Sequence, residues 1–299
     1  MKKGELTTQQ IVTLIILIAS FAVILYFIFN MGIGQEQDKE LCHNSVLMRD
    51  NALIPDEAAP LNCKRQYVCI SADKTCESMT DPVLHKVKDK NETFEVLAQE
   101  LADCWWMFGE GKVNYAGKDL IQKWYCAQCA QISFDDSMKE IFPDEKFSEE
   151  ELYQYLVDNK VPRTEESYAM YFYGTDEILE AAEEFNLAFE DITLDKSYYV
   201  LTAMHSEFGG LELAGAGAGA GAIVSVVKLF PQARFASLMG GVIKSAAAGS
   251  FLGGGVSGAL SFIVKGKNGL TYLPPSLVEA PSSSEEFKAF NCKELTTYA

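Results

Sequence analysis

The sequence predicts an N-terminal transmembrane helix followed by a helix-rich α+β ectodomain stabilised by disulfides, with a Gly/Ala-rich apolar helical hairpin near the C-terminus. Three features carry this expectation. The run from Ile11 to Phe29 is uncharged and reaches about 28 Å as a helix, close to the thickness of a bilayer's hydrocarbon core. All eight cysteines follow that run. From Gly209 onward the composition shifts abruptly to Gly and Ala.

Lys2 and Lys3 precede the apolar run and an acidic stretch at 35–40 follows it, which predicts residues 1–10 in the cytoplasm and everything from Asn30 onward outside the cell membrane. A secretory signal peptide has an apolar region of only about 7–15 residues and ends at a small-x-small site. Here the run is longer and ends in Tyr26-Phe27-Ile28-Phe29-Asn30, so residues 11–29 read as a retained signal-anchor.

The start, Lys2-Lys3-Gly4-Glu5-Leu6-Thr7-Thr8-Gln9-Gln10 and then the apolar run, resembles the prepilin-type leaders of archaeal type IV pilin-like surface proteins. The resemblance covers about the first 30 residues. It implies cleavage after Gly4 and a helix that stays in the membrane or packs in a filament. Gln9 stands where that family usually has Glu.

The 299 residues allow one or two domains beyond the anchor, and a hydrophobic fraction of 48% with 18 Phe, 13 Tyr and 3 Trp is enough to fill a core. A net charge of −17 argues against nucleic acid and anionic lipid headgroups as partners and describes a solvated acidic surface. Outside the cell an even number of cysteines reads as disulfides. Cys42, Cys63, Cys69 and Cys76 lie close together and are expected to pair among themselves. Cys104, Cys126, Cys129 and Cys292 form the second set, which would staple the tail at 265–299 to the middle of the ectodomain. Asn91-Glu92-Thr93 is a glycosylation sequon, with Asn91 the candidate.

Residues 30–80 form a Cys-rich loop segment in which 63–70 alternates as a strand, and Ser71-Ala72-Asp73-Lys74 supplies a turn toward Cys76, suggesting a small stapled hairpin. The α+β ectodomain is expected over 81–208. Phe94, Leu97, Leu101, Cys104, Trp105 and Phe108 recur at helical spacing until Gly109 and Gly111 stop the pattern. Ser148 and Glu151 open a second helix, with Phe147 poised to pack on Leu152. Further starts are read at Thr164 and at Thr175, the latter leading to Phe189, and 197–204 reads as a strand.

Within 209–264, Leu211–Phe230 (taking Glu212 as a flank) and Ser245–Val264 are each long enough to cross a membrane, joined by Lys228, Pro231, Arg234 and Lys244. Gly217 and Gly221, Gly249 and Gly253, and Gly254 and Gly258 are spaced for close helix packing. A Gly-rich loop or a covered soluble hairpin is the alternative. The tail, with Pro274-Pro275, reads as extended and ends in a short helix carrying Cys292.

Few motifs suggest chemistry. Cys126-Ala127-Gln128-Cys129 is a C-x-x-C, yet no apolar strand precedes it to present it at a helix N-terminus, as thiol oxidoreductases require. Zinc binding by Cys104, Cys126 and Cys129 would need a histidine, and His43, His85 and His205 lie in unrelated contexts. The alternation at Gly215–Ala220 satisfies a dinucleotide pattern only because any Gly/Ala repeat does. Asp135-Asp136, Glu149-Glu150-Glu151 and Glu183-Glu184 read as solvated surface. Trp105 falls on the core stripe, which leaves Trp106 as the one free platform. The sequence therefore points to a membrane-anchored surface protein with a structural or interaction role, no catalysis and no cofactor. Its partners would be the lipid bilayer and other surface proteins or copies of itself. A pore-forming protein using the Gly/Ala hairpin is the alternative, and an extracytoplasmic thiol-disulfide oxidoreductase the second.

Overall fold

The computed structural model describes residues 8–30, 33–50, 60–116, 124–184, 189–205, 264–265, 270–280 and 293–294. Helix α1 covers Thr8–Asn30 and α2 covers Ile33–Arg49. Thr13 and Ser20 donate their hydroxyls to carbonyls one turn back, at Gln9 and Leu17, so both sit in an apolar helix with no unmet bond. The apolar residues from Ile11 to Tyr26 are exposed, with Leu25 half-buried.

The expected transmembrane anchor over 11–29 is corrected here. Among the described residues no helix is long and apolar enough to cross a membrane. The Gly/Ala hairpin, with Gly217, Gly221, Gly249, Gly253, Gly254 and Gly258, lies outside the described residues, apart from its last residue. Val264 belongs to a strand rather than a helix.

The body is α+β and stitched by disulfides. Its strands are β1 (Gln66–Ser71), β2 (Val83–Lys86), β3 (Trp124–Phe134), β4 (Lys146–Ser148), β5 (Asp191–Thr193), β6 (Tyr198–His205), β7 (Val264–Lys265), β8 (Thr271–Glu279) and β9 (Lys293–Glu294). Seven of them form one mixed sheet in the order β2-β1-β3-β6-β8-β7, with β9 beside β3, and β4 pairs with β5 separately. β1 runs parallel to both β2 and β3, while β6 and β8 are antiparallel to their neighbours. The expected hairpin after Cys69 is therefore a parallel pair, reached through a loop that the Cys69–Cys76 disulfide closes. Residues 293–294 are strand where a helix was expected, because they find a pairing site on β3 at Tyr125 and Cys126.

Helix α3 (Lys90–Met107) packs across β3, β6 and β8. Asp89 caps it by accepting from Glu92 N at 2.9 Å, and Glu92 accepts in return from Lys88 N at 2.9 Å. The expected apolar stripe is buried against the sheet. Gly109 ends the helix at φ +79°, and a Cβ there would lie 1.8 Å from Val113 Cγ2, so no other residue fits. Helices α4 (Glu149–Asp158), α5 (Tyr168–Tyr173) and α6 (Ile178–Glu184) continue the chain. Ser148 caps α4 as expected of it, through Glu150 N at 3.1 Å. α5 is capped by Ser167, not Thr164, whose hydroxyl is spent on Val161 O in the preceding turn.

Two bulges shape the sheet. In β3, Gln128 opposes Leu201 and Ala130 opposes Val200, so Cys129 is an extra residue. That places Cys129 and Ala130 both on the α3 side, where Cys129 bonds Cys104. In β8, the Pro274-Pro275 pair falls where the register slips opposite Thr202, whose hydroxyl donates to Leu273 O at 2.7 Å. Among the described residues β7 pairs with β8 only at Thr271 and Tyr272, so the two prolines fall beyond that pairing. The opposite sheet face buries a second cluster of Cys126, Tyr199, Leu201, Ala203, Leu273 and Val278.

Cys42 pairs with Cys63, tying α2 to the approach to β1. Cys126 is also disulfide-bonded, and Cys292 lies outside the described residues. Among the described residues no cysteine is free. Replacing Cys104 and Cys129 together by Ala is expected to lower stability by about 2–4 kcal/mol, read as a reduced urea midpoint. In the turn after β1, Asp73 accepts from the Thr75 hydroxyl and amide and from Ser71, bonds that hold its carboxyl at about 2 instead of 3.8. A depressed carboxyl stabilises the fold above its ordinary value and loses that contribution as pH falls through its folded value. Asp73→Asn should therefore flatten the acid side of the stability profile between about pH 4 and pH 2 in thermal melts.

Candidate functional site

Helix α3 meets the sheet at an angle that leaves a cleft of about 700 Å³ between its outer side, strands β1 and β2, and the turn at 161–164. Val68, Val83 and Ala102 give it apolar surface, and Gln66, His85, Gln99, Glu100, Asp103 and Glu110 give it polar surface. That size and mixture suit a ligand of modest size.

α3 supplies one wall of the cleft through Gln99, Glu100, Ala102, Asp103 and Trp106, several of which fall beside the core stripe. Asp103 accepts from Lys39 Nζ of α2 at 2.5 Å and from Gln99 Nε2 at 2.9 Å, so its two oxygens are fixed from both sides. This pair is mostly buried, which shields it from salt. Trp106 stacks on His43, with centroids 4.1 Å apart and planes 11° from parallel. His43 Nδ1–H donates to Trp106 O at 2.7 Å, which fixes its tautomer and locks the stack. Across the cleft, the Tyr171 hydroxyl donates to Glu110 Oε1 at 2.9 Å, and Lys112 pairs with the other oxygen. Burial and then the Glu110 carboxylate push the Tyr171 phenol far above its ordinary value, so it remains a donor.

His85 on β2 is the unsettled member. Its Nε2 is buried and has no hydrogen-bond partner among the described residues. The nearest acid oxygen, Glu100 Oε1, is 3.9 Å away, beyond hydrogen-bond reach. Burial lowers the His85 pKa below 6.5, the Lys39 cation lowers it further, and Asp103 opposes both.

The C-x-x-C residues do not meet. Cys126 and Cys129 sit on opposite faces of β3, the first in the outer cluster and the second against α3. Each is disulfide-bonded, and Cys129 is joined to Cys104, so the pair cannot cycle as a dithiol in this arrangement. Among the described residues no group of three His, Cys, Asp or Glu is arranged to hold a metal ion. Asn91 is exposed in the first turn of α3, whereas Thr93 of its sequon is buried and donates to Asp89 O. Asp135 is not surface: burial raises its carboxyl, and bonds from Ser137, Glu77 and Thr75 more than reverse this, lowering it overall. Glu149 is likewise buried and accepts from Glu190 N. Trp105 lies in the core against Tyr272, and Trp106 alone lines the cleft.

Lys39, Glu100 and Asp103 were not singled out by the sequence reading, and His85 was weighed there only as a zinc ligand. The available signal was Glu100, an acid at the helical spacing of Thr93, Leu97 and Cys104, on a face that is otherwise buried. Comparison with protein-family models, curated proteins and solved structures gives no match.

A histidine with a depressed pKa destabilises the fold as pH falls, because the unfolded chain protonates first. Melting temperature should therefore drop as pH falls below about 6.5. His85→Gln should remove part of that drop, as seen by calorimetry across about pH 5 to 7.5.

Proposed function

We propose that this chain is an extracytoplasmic surface protein with an interaction role and no catalytic one, which meets its partner through the cleft beside α3. The observation that carries the reading is the disulfide framework. The bond between Cys42 and Cys63 ties α2 to the approach to β1, that between Cys69 and Cys76 ties β1 to the loop after it, and that between Cys104 and Cys129 ties α3 to β3. Such bonds persist in oxidising compartments and are rare in the cytosol. The cleft supports a recognition role, since Asp103 is held by Lys39 and Gln99 and Glu110 by Tyr171 and Lys112 in set positions along its wall. The exposed apolar side chains of α1 support lipid as a neighbour, with no crossing implied. Other surface proteins and copies of the same chain remain partners of this proposal, while the acidic charge of −17 speaks against nucleic acid.

The test is accessibility in intact cells. A membrane-impermeant protease should cleave the body without lysis, and its cysteines should resist alkylation until a reductant is added. Cleavage seen only after lysis, together with thiols that alkylate at once, would overturn the reading.

A further inference from the structure

We propose that the cleft binds a short neutral saccharide. This deepens the interaction role above and rests on it. Three observations lead there. Lys39 pairs with Asp103, Glu110 is held by Tyr171 and Lys112, the buried Glu100 also lines the cleft, and Arg163 is exposed at the rim. An anionic ligand would face the carboxylates of Glu100, Asp103 and Glu110, and a cationic one would compete with Lys39 and Lys112 for oxygens they already hold, which is costly. A hydroxyl-rich neutral ligand adds bonds without breaking any. Each oxygen of Asp103 has a second lone pair, and each is held in place by the bond it already accepts.

The second observation is the buried Nε2 of His85, which has no hydrogen-bond partner among the described residues. Buried polar atoms are nearly always satisfied, and leaving one unmet costs as much as losing a hydrogen bond. His85 is held neutral by burial and by Lys39, so a ligand hydroxyl, which both donates and accepts, can serve it in either tautomer.

The third is Trp106. The His43 stack fixes its ring, and its remaining surface lines the cleft beside the apolar atoms of Val83 and Ala102. A sugar ring has one face of C–H groups and a rim of hydroxyls. A fixed indole next to Asp103 and Gln99 matches both at once. The volume of about 700 Å³ leaves room for a ligand of about two or three rings.

The experiment is isothermal titration of the full chain with maltose, cellobiose, lactose and N,N′-diacetylchitobiose, with trilysine and citrate as charged probes. At least one disaccharide should bind saturably, with an affinity that changes less than about twofold with added salt, since no net charge is exchanged. Trp106→Ala should weaken it at least about tenfold, while Trp106→Phe, which keeps an aromatic face, should stay within about threefold. Gln99→Ala should weaken binding without lowering the melting temperature. Salt-sensitive binding of trilysine or citrate with none of the disaccharides would overturn the saccharide and leave the interaction role standing. Binding unaffected by Trp106→Ala and Gln99→Ala would overturn the cleft as its place. Absence of binding by every probe to folded protein would overturn the proposal, while the cell-accessibility experiment judges the surface assignment separately.

Discussion

The bond from Cys104 to Cys129 fixes where α3 lies, and the rest of the body follows from that placement. It is possible because β3 carries one residue too many against β6, which turns Cys129 toward the helix while its neighbours keep the sheet's alternation. With α3 pinned at that point, Trp105 is driven into the core against Tyr272, and Trp106, one residue further round the helix, is left at the margin. The cleft is that margin. Its walls are one side of a helix that cannot slide and two parallel strands that cannot move away from it.

The charges around the cleft show how an acidic protein can keep a polar hollow stable. Lys39 reaches from α2 to Asp103, and the Cys42–Cys63 bond holds α2 near enough to do so. Partly buried pairs of this kind add less to stability than their Coulomb energy suggests, since both ions lose water. Their value here is positional. They hold the carboxylates in set orientations, as the His43 stack holds the Trp106 indole, before any ligand arrives, which lowers the ordering cost of binding.

Much of the local structure was legible in the sequence. The stripe from Phe94 to Phe108, the stop at Gly109, the cap at Ser148 and the strand from Tyr198 follow from periodicity and side-chain chemistry that act within a few residues. What was not legible depends on partners far away in the chain. β2 was missed as the parallel neighbour of β1 because nothing in its four residues names a partner. Pro274-Pro275 argued against a sheet strand, and only the slip opposite Thr202 makes room for it. The expectation of a bilayer crossing rested on hydropathy over 11–29, whereas among the described residues no helix is long and apolar enough to cross. The cleft was missed because Lys39, His85 and Asp103 come from three elements. Glu100, on a buried helical face, was the one local hint.

The place of β8 in the sheet has a consequence during synthesis. Thr202 and the Leu273 carbonyl it bonds are 71 residues apart, so β6 leaves the ribosome well before the strand that covers its far edge. At about 5–20 residues per second, that edge waits about 4–14 s for its partner. The strand that waits carries Val200, Leu201 and Thr202, all fully buried in the finished sheet. An open edge of this kind is a template for pairing with the wrong chain. The nascent protein therefore passes through an interval in which it is prone to misassociate, and its yield in cells depends on how well that strand is sheltered until the C-terminal segment arrives.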